Sequence, residues 1–184
     1  MFRTNLFFTF VALLAVISGN SQSENPLGFQ IEAGYLVGGQ VTSNSFAYQS
    51  GLSARATVLK TVSPSVVFGG GVGLDSYDYI NFVPIYLMVE ARSNPVKTGA
   101  FVAFFGYSFA DEESRELINQ EFEGGAFLEV GRSWKYDITS DLKLSFGLTL
   151  KHQFAISEVE NLVGQELEEK ADFDGLHFRL GISF

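Results

Sequence analysis

The residues best suited to nucleophilic chemistry in this 184-residue chain are His152 and the neighbouring pair Ser157 and Glu158. Acyl transfer by a serine needs an imidazole within hydrogen-bond reach of the hydroxyl and a carboxylate that orients the imidazole. On the same side of an extended strand, the residues two positions from His152 are Leu150 and Phe154, and neither carries a hydroxyl. Ser157 and Glu158 would reach His152 only if the following loop folded back. The sequence therefore assigns no catalytic residue, and we predict a protein that is not an enzyme.

Other common kinds of site are missing from the sequence. The chain has no cysteine, which excludes thiol nucleophiles, cysteine-ligated zinc and disulfides. The stretch GGGVG at 69–73 lacks the Lys and Ser or Thr that follow in a phosphate-binding loop, so we interpret it as part of a strand. Of the 21 acidic residues, 6 lie in 110–123 and 7 in 155–174, without the ligand spacing of a calcium site. We predict no metal ion and no cofactor.

Charged residues share one face of the strands that the sequence predicts. Period-two alternation places apolar side chains on one face, and charged residues with most of the strand glycines on the other. Glu32 should lie at mid-height beside Arg55 and Arg179 if the sheet closes, and buried charges occur in pairs because an unpaired one is costly. Lys151 shares this face. We predict an internal charge network formed by Glu32, Arg55, Glu90, Arg92, Glu129, Lys143 and Arg179.

Eight stretches of alternating residues supply the elements that would hold these side chains. They cover 27–37, 46–59, 65–75, 82–92, 98–109, 124–136, 142–154 and 173–184. Soluble strands usually have about five or six residues, whereas a tilted strand that crosses a membrane needs about nine to eleven. No stretch beyond residue 26 has sustained helical periodicity with caps. The pattern predicts an all-β, eight-stranded antiparallel up-and-down transmembrane barrel.

The glycines indicate which face of the barrel is inside. The alternation of apolar and polar residues does not say which face is inside, so by itself it also permits a soluble lipocalin-like barrel with an apolar pocket. Glycine on a water-washed outer face costs entropy, whereas inside a narrow eight-stranded barrel it leaves room for a large side chain from another strand. Aromatic residues also lie near strand ends on the apolar face, among them Tyr35, Trp134 and Phe184. Both features favour a charged interior and a lipid-facing apolar exterior.

The amino terminus has the layout of a secretory signal peptide, with Arg3, an apolar run over 6–17 and then small polar residues. We predict a cleavable signal peptide at 1–23 and a single barrel domain at 24–184. The net charge of −9 repels phosphate backbones, so a nucleic-acid partner is not expected.

The chain resembles the small outer-membrane β-barrel family of Gram-negative bacteria, with barrels of the OmpA and OmpX type. The residues that carry this resemblance are VVFGGGVGLDSYD at 66–78, FVPIYLMVEAR at 82–92 and LHFRLGISF at 176–184. It implies a place in the bacterial outer membrane, short turns and both termini in the periplasm, and long loops outside the cell. It also implies contact with membrane lipid and lipopolysaccharide, and a monomer. The last strand looks like the signal read by the barrel assembly machinery, with Leu176, Phe178, Leu180, Ile182 and Phe184 as its residues.

The resemblance leaves the role of the protein open between several classes. A structural or surface-interaction role through acidic extracellular loops is the main expectation. Some small outer-membrane barrels modify lipid A by acyl transfer or deacylation, and His152 lies near the outer end of the seventh strand on the lipid-facing side. His177 is predicted to lie inside, beside Arg179. A narrow porin-like channel and a soluble ligand-binding barrel are further alternatives. The loops at 110–123 and 155–172 should be unordered, although LVGQELEEKAD would also suit a short helix.

Overall fold

The computed structural model describes residues 27–42, 45–93, 98–112, 120–160 and 166–184. The predicted signal peptide lies outside these described residues. No helix in the described part of the chain is long and apolar enough to cross a bilayer. The strands are β1 (Leu27–Val41), β2 (Phe46–Ser63), β3 (Val66–Tyr77), β4 (Ile80–Ala91), β5 (Gly99–Glu112), β6 (Gln120–Glu123), β7 (Gly125–Asp137), β8 (Lys143–Gln153), β9 (Ile156–Glu160), β10 (Glu166–Lys170) and β11 (Asp172–Ser183).

Eight of these strands form one closed antiparallel barrel. Its order is β1, β2, β3, β4, β5, β7, β8 and β11, and β11 pairs again with β1. The barrel strands have 11 to 18 residues, because their alternation continues past the length of a soluble strand. Phe29 and Phe184 complete the closure by exchanging two backbone hydrogen bonds of 2.7 and 2.9 Å. The predicted all-β, eight-stranded antiparallel barrel is confirmed.

The barrel has two different ends. At the turn end, short connections join β2 to β3, β4 to β5 and β7 to β8. At the loop end, β6, β9 and β10 form a separate three-stranded sheet, the loop sheet. The prediction that 110–123 and 155–172 are unordered is therefore wrong for the strands they contain. A helix in LVGQELEEKAD is also wrong for Glu166–Lys170, which pairs along β9. This pairing satisfies backbone groups at a length where an isolated helix is unstable.

The exposed face of the barrel wall is apolar, and we call it the outer belt. Leu52 is 65% exposed and Leu150 is 62% exposed, and large apolar side chains with the same parity are exposed on every barrel strand. The opposite parity points inward and contains buried Glu, Arg and Lys side chains. An apolar pocket inside a soluble barrel would require the reverse arrangement, so the described interior contradicts the lipocalin-like alternative.

Two apolar clusters and many buried polar side chains fill the interior. Near the loop end, Ile80, Phe82, Ala155 and Phe173 form a buried apolar cluster. A second apolar cluster, which extends to the charged side chains, contains Leu59, Val67, Tyr86, Met88, Val102, Phe104 and Phe127. Buried charged and hydrogen-bonding side chains occupy the space between and beside these clusters.

Candidate functional site

The centre of the barrel is organised around the carboxylate of Glu129, which is fully buried on β7. Its Oε2 accepts a hydrogen bond of 2.7 Å from Arg55 Nη2. Its Oε1 accepts a hydrogen bond of 2.5 Å from Thr149 Oγ1 and lies 3.2 Å from His177 Nδ1. Arg179 Nε is 3.4 Å from the same oxygen. One carboxylate thus joins side chains from β2, β8 and β11 across the interior.

Two further carboxylates complete this arrangement. Glu32 Oε2 accepts a hydrogen bond of 3.0 Å from Arg179 Nη1. Asp75 Oδ2 accepts one of 2.5 Å from Lys151 Nζ and lies 3.8 Å from Arg55 Nη2. Because three carboxylates face three cationic side chains, the formal charges cancel when His177 is neutral. We call the set the central network: Glu32, Arg55, Asp75, Glu129, Lys151, His177 and Arg179.

The two arginines of the central network also rest on one aromatic ring. The guanidinium carbons of Arg55 and Arg179 lie 5.2 and 4.3 Å from the centroid of Phe104. Arginine faces are attracted to aromatic faces, and the attraction is stronger away from water. Space for Arg179 comes from Gly147 on the neighbouring strand, where a Cβ atom would lie 2.9 Å from Arg179 Nη2. The inward glycine therefore makes room for a large charged side chain, as the glycine pattern predicted.

Ser53, His177 and Glu129 have the hydrogen-bond order of a serine, histidine and carboxylate triad. Ser53 Oγ and His177 Nε2 are 2.5 Å apart, and His177 Nδ1 faces the Glu129 carboxylate. Ser53 is 6% exposed and His177 is fully buried, so the described arrangement offers no access for a substrate. This contact was not predicted from the sequence, because Ser53 and His177 are 124 positions apart. Both residues fall on the inward-facing side of their strands, and this is the feature of the sequence that could have suggested the contact.

A separate charged group lies at the turn end. Glu90 Oε1 accepts a hydrogen bond of 2.7 Å from Arg92 Nη2, and Lys135 Nζ lies 2.8 Å from Glu90 Oε2.

Lys143 belongs neither to this turn-end group nor to the central network, so its assignment to the internal network was wrong. Its Nζ lies 3.3 Å from Asp137 Oδ1 and its side chain is 42% exposed. It is the first residue of β8, where the wall ends and the side chain reaches solvent. Lys151, further along β8, lies inside instead.

Polar side chains close the interior below the loop sheet. Gln49 donates a hydrogen bond to the Tyr79 hydroxyl, which donates to Gln40 Oε1. Burial raises the pKa of the Tyr79 phenol, so the hydroxyl keeps its donor proton. Ser108 Oγ donates to Gln153 Oε1 at 2.7 Å. Together with the apolar cluster at this end, these contacts connect four strands across the opening.

His152 lies on the outer belt rather than in the interior. Its Nδ1 is 2.5 Å from Asp174 Oδ1, and its ring is in edge contact with Phe154 at 4.2 Å. A depression of about 520 Å³ beside the pair is lined by Leu128, Leu150 and other residues that carry no hydroxyl. The described residues thus give His152 a carboxylate partner but no nucleophile.

The residues of the predicted assembly signal all lie on the outer belt. Leu176, Phe178, Leu180, Ile182 and Phe184 are each between 39% and 56% exposed. Phe184 stacks on Phe29 with their ring centroids 6.4 Å apart. Recognition of this strand by other proteins stays a prediction.

No group of three or more His, Asp or Glu side chains in the described part of the chain is arranged to hold a metal ion. The acidic clusters at 110–123 and 155–174 fall partly outside the described residues.

Comparison with known proteins identifies the fold. No protein-family model and no curated protein sequence matches the chain. The crystal structure of Neisserial surface protein A aligns with 88% of this chain and 98% of its own, with a TM-score of 0.54 and 11% identity. The outer membrane protein OprG from Pseudomonas aeruginosa aligns with 88% of this chain and 97% of its own, with a TM-score of 0.42 and 11% identity. The chain has the eight-stranded fold of small outer-membrane barrels.

Proposed function

We propose that this barrel is an integral protein of the bacterial outer membrane with an interior closed to ions and a structural or surface-interaction role. The observation that carries the proposal is the combination of an apolar exterior with a charge-balanced interior. The outer belt suits hydrocarbon, and the closed sheet leaves no unpaired edge for lipid to meet. The central network supports a closed interior because each of its carboxylates pairs with a cationic side chain and all of these side chains are buried.

The membrane assignment predicts that folding changes electrophoretic mobility. Folded outer-membrane barrels resist SDS until heated, because their closed hydrogen-bonded sheet unfolds slowly. We expect the unheated mature protein to migrate at a different apparent mass from the boiled protein, because it stays folded and compact. The boiled protein should migrate at the position expected from its molecular mass. Identical mobility before and after boiling, together with solubility in the absence of detergent, would exclude the membrane assignment.

A closed interior predicts very low ion conductance. We expect the protein in planar bilayers to give no long-lived open-channel currents, because the charges at mid-height pair with one another and buried apolar clusters fill further space in the interior. Single-channel recording at neutral pH measures this, and a buffer containing the same detergent serves as the blank. Frequent, large and stable current steps that depend on protein concentration would show an open pore instead.

The topology that we propose places the loop sheet outside the cell. The strands of the loop sheet are rich in Glu, a composition that would suit cationic partners. Protease added to intact cells should cut near the loop sheet and leave the barrel strands intact. Cleavage that requires a permeabilised outer membrane would show the opposite orientation.

A second candidate function is acyl hydrolysis, favoured by the hydrogen-bond order of Ser53, His177 and Glu129. Their burial argues against it, because an ester must reach the hydroxyl. We expect a fluorophosphonate probe to leave the folded protein unlabelled. Labelling that disappears in Ser53→Ala but persists in the inward-facing Ser145→Ala variant would establish a reactive serine and overturn the assignment as a non-enzyme.

A further inference from the structure

The outer belt contains two adjoining apolar depressions that meet at a glycine. One has a volume of about 510 Å³ and is lined by Phe68, Leu87 and Phe105 among others. The second has a volume of about 260 Å³ and is lined by Phe29, Phe184 and neighbouring apolar residues. Val58, Gly70 and Gly71 line both. The exposed wall of β1 to β4 thus carries a divided apolar groove, which we call the Gly70 groove.

Gly70 keeps the middle of this groove open. Its register neighbours on the outward face are Val58 on β2 and Leu87 on β4. A Cβ atom at Gly70 would meet Leu87 Cδ2 at 3.5 Å and the Tyr86 carbonyl oxygen at 3.6 Å, which are ordinary contact distances. A side chain therefore fits at this position without moving the backbone, and it would occupy the groove. The glycine is not required by the barrel wall itself.

A single cation marks one end of the Gly70 groove. Lys60 lines the larger depression and is exposed on the outward face of β2, three residues before the strand ends at Ser63. It makes no ion pair with any described residue. At about 3.3 Å per residue, Lys60 lies roughly 10 Å along the strand from the turn end. Its long side chain can extend toward the turn end while its methylenes stay against the apolar wall, so its amine can meet an anionic headgroup.

The dimensions of the groove match one leaflet. Ala56, which lines the second depression, lies four residues from Lys60, or roughly 13 Å along the strand. Half of a hydrocarbon core is about 15 Å thick. Lys60 lines the larger depression, and the smaller one adjoins it at Val58 and Gly70. Two adjoining apolar depressions with one cation beside them correspond to the two acyl chains and the phosphate of one lipid. We infer that the Gly70 groove binds a diacyl phospholipid with its phosphate at Lys60.

The inference rests on the proposed membrane location and is tested on folded protein in detergent. Detergent-solubilised folded protein would be titrated with dioleoylphosphatidylglycerol, and native mass spectrometry would count bound lipid. Lys60→Gln should weaken binding about fivefold, because one lysine near a membrane surface contributes about that factor. Gly70→Leu should weaken it several-fold, because the new side chain occupies the space of an acyl chain. Ala126→Leu, which places a leucine on exposed wall outside the groove, and Lys170→Gln in the loop sheet should bind as the wild type does.

Each possible outcome decides a different point. Equal binding by the wild type, Lys60→Gln and Gly70→Leu would overturn the site, while normal heat-dependent mobility of the same samples would leave the membrane assignment intact. Loss of that mobility in the wild type would instead remove the proposed function. A wild-type dimer that Gly70→Leu dissociates in the absence of phospholipid would show that a second copy of the chain covers the groove, and would also overturn the inference.

Discussion

Replacement of Glu129 by alanine is expected to lower the free energy of unfolding by about 3–5 kcal/mol, the cost of leaving buried charges without their partner. The variant removes the nearest carboxylate of Arg55 and the acceptor of the Thr149 hydroxyl. The remaining central network then carries an excess positive charge in a place that water reaches poorly. Urea or guanidinium unfolding in detergent micelles, followed by tryptophan fluorescence or gel mobility, measures the loss.

Matched variants separate the buried charge from a general effect of mutation. Asp137→Ala removes the carboxylate of an exposed pair with Lys143 and should cost no more than about 1 kcal/mol. Glu129→Gln keeps the shape and one acceptor, so it should fall between these two variants. Combining Glu129→Leu with Arg55→Met should restore part of the stability, because both charges leave together. A Glu129→Ala unfolding midpoint equal to that of Asp137→Ala would contradict the role of Glu129 as the centre of the network.

Deletion of Phe184 is expected to reduce the amount of protein inserted into the outer membrane of cells several-fold and to increase its degradation in the periplasm. The resemblance to small outer-membrane barrels implies an assembly machinery that would bind the last strand before the barrel closes. The expected effect is therefore on the rate of insertion. In purified form the loss of one phenylalanine contact and its stacking on Phe29 should cost roughly 1.5–3 kcal/mol. A barrel closed by eight paired strands should therefore still fold in detergent.

A comparison of two phenylalanines tests this interpretation. Phe184 is 52% exposed and Phe101, near the turn end of β5 on the outer belt, is 57% exposed. Phe184→Ala and Phe101→Ala thus remove similar lipid contacts, but only the first alters the terminal residue. We expect Phe101→Ala to insert in cells at nearly the wild-type level. Equal insertion of the two variants would remove the signal interpretation, and failure of Phe184→Ala in detergent as well would make Phe184 a structural residue.

The strands and their two faces follow from the sequence because both depend on local periodicity. Residues 27–37 and 142–154 alternate over more residues than a soluble strand needs, and the structure places both in barrel strands. Gly147, on the charged face, lies beside the Arg179 side chain inside the barrel. An extended chain turns successive side chains to opposite sides, so a residue's face is determined before any partner is known.

The pairing of charges required the tertiary structure. Glu32 bonds to Arg179 on the adjacent strand, one of the two neighbours that the sequence placed beside it. Arg55, its register partner, bonds instead to Glu129 on the far wall. Contacts across the interior depend on how far the strands are staggered when the sheet closes, and parity contains no information about stagger. The contact between Asp75 and Lys151 has the same origin.

The sequence by itself thus determined the number of barrel strands, their faces and the charged character of the interior, since each is a local or compositional property. Tertiary structure decided which side chains meet: the Ser53, His177 and Glu129 contacts join three separate strands, and Lys143 is excluded because β8 begins at the rim. It also decided the order of the loop sheet, whose short strands are stable only when paired with one another. Closure of the barrel brings residues more than a hundred positions apart in the sequence into contact, and no local pattern specifies which of them meet.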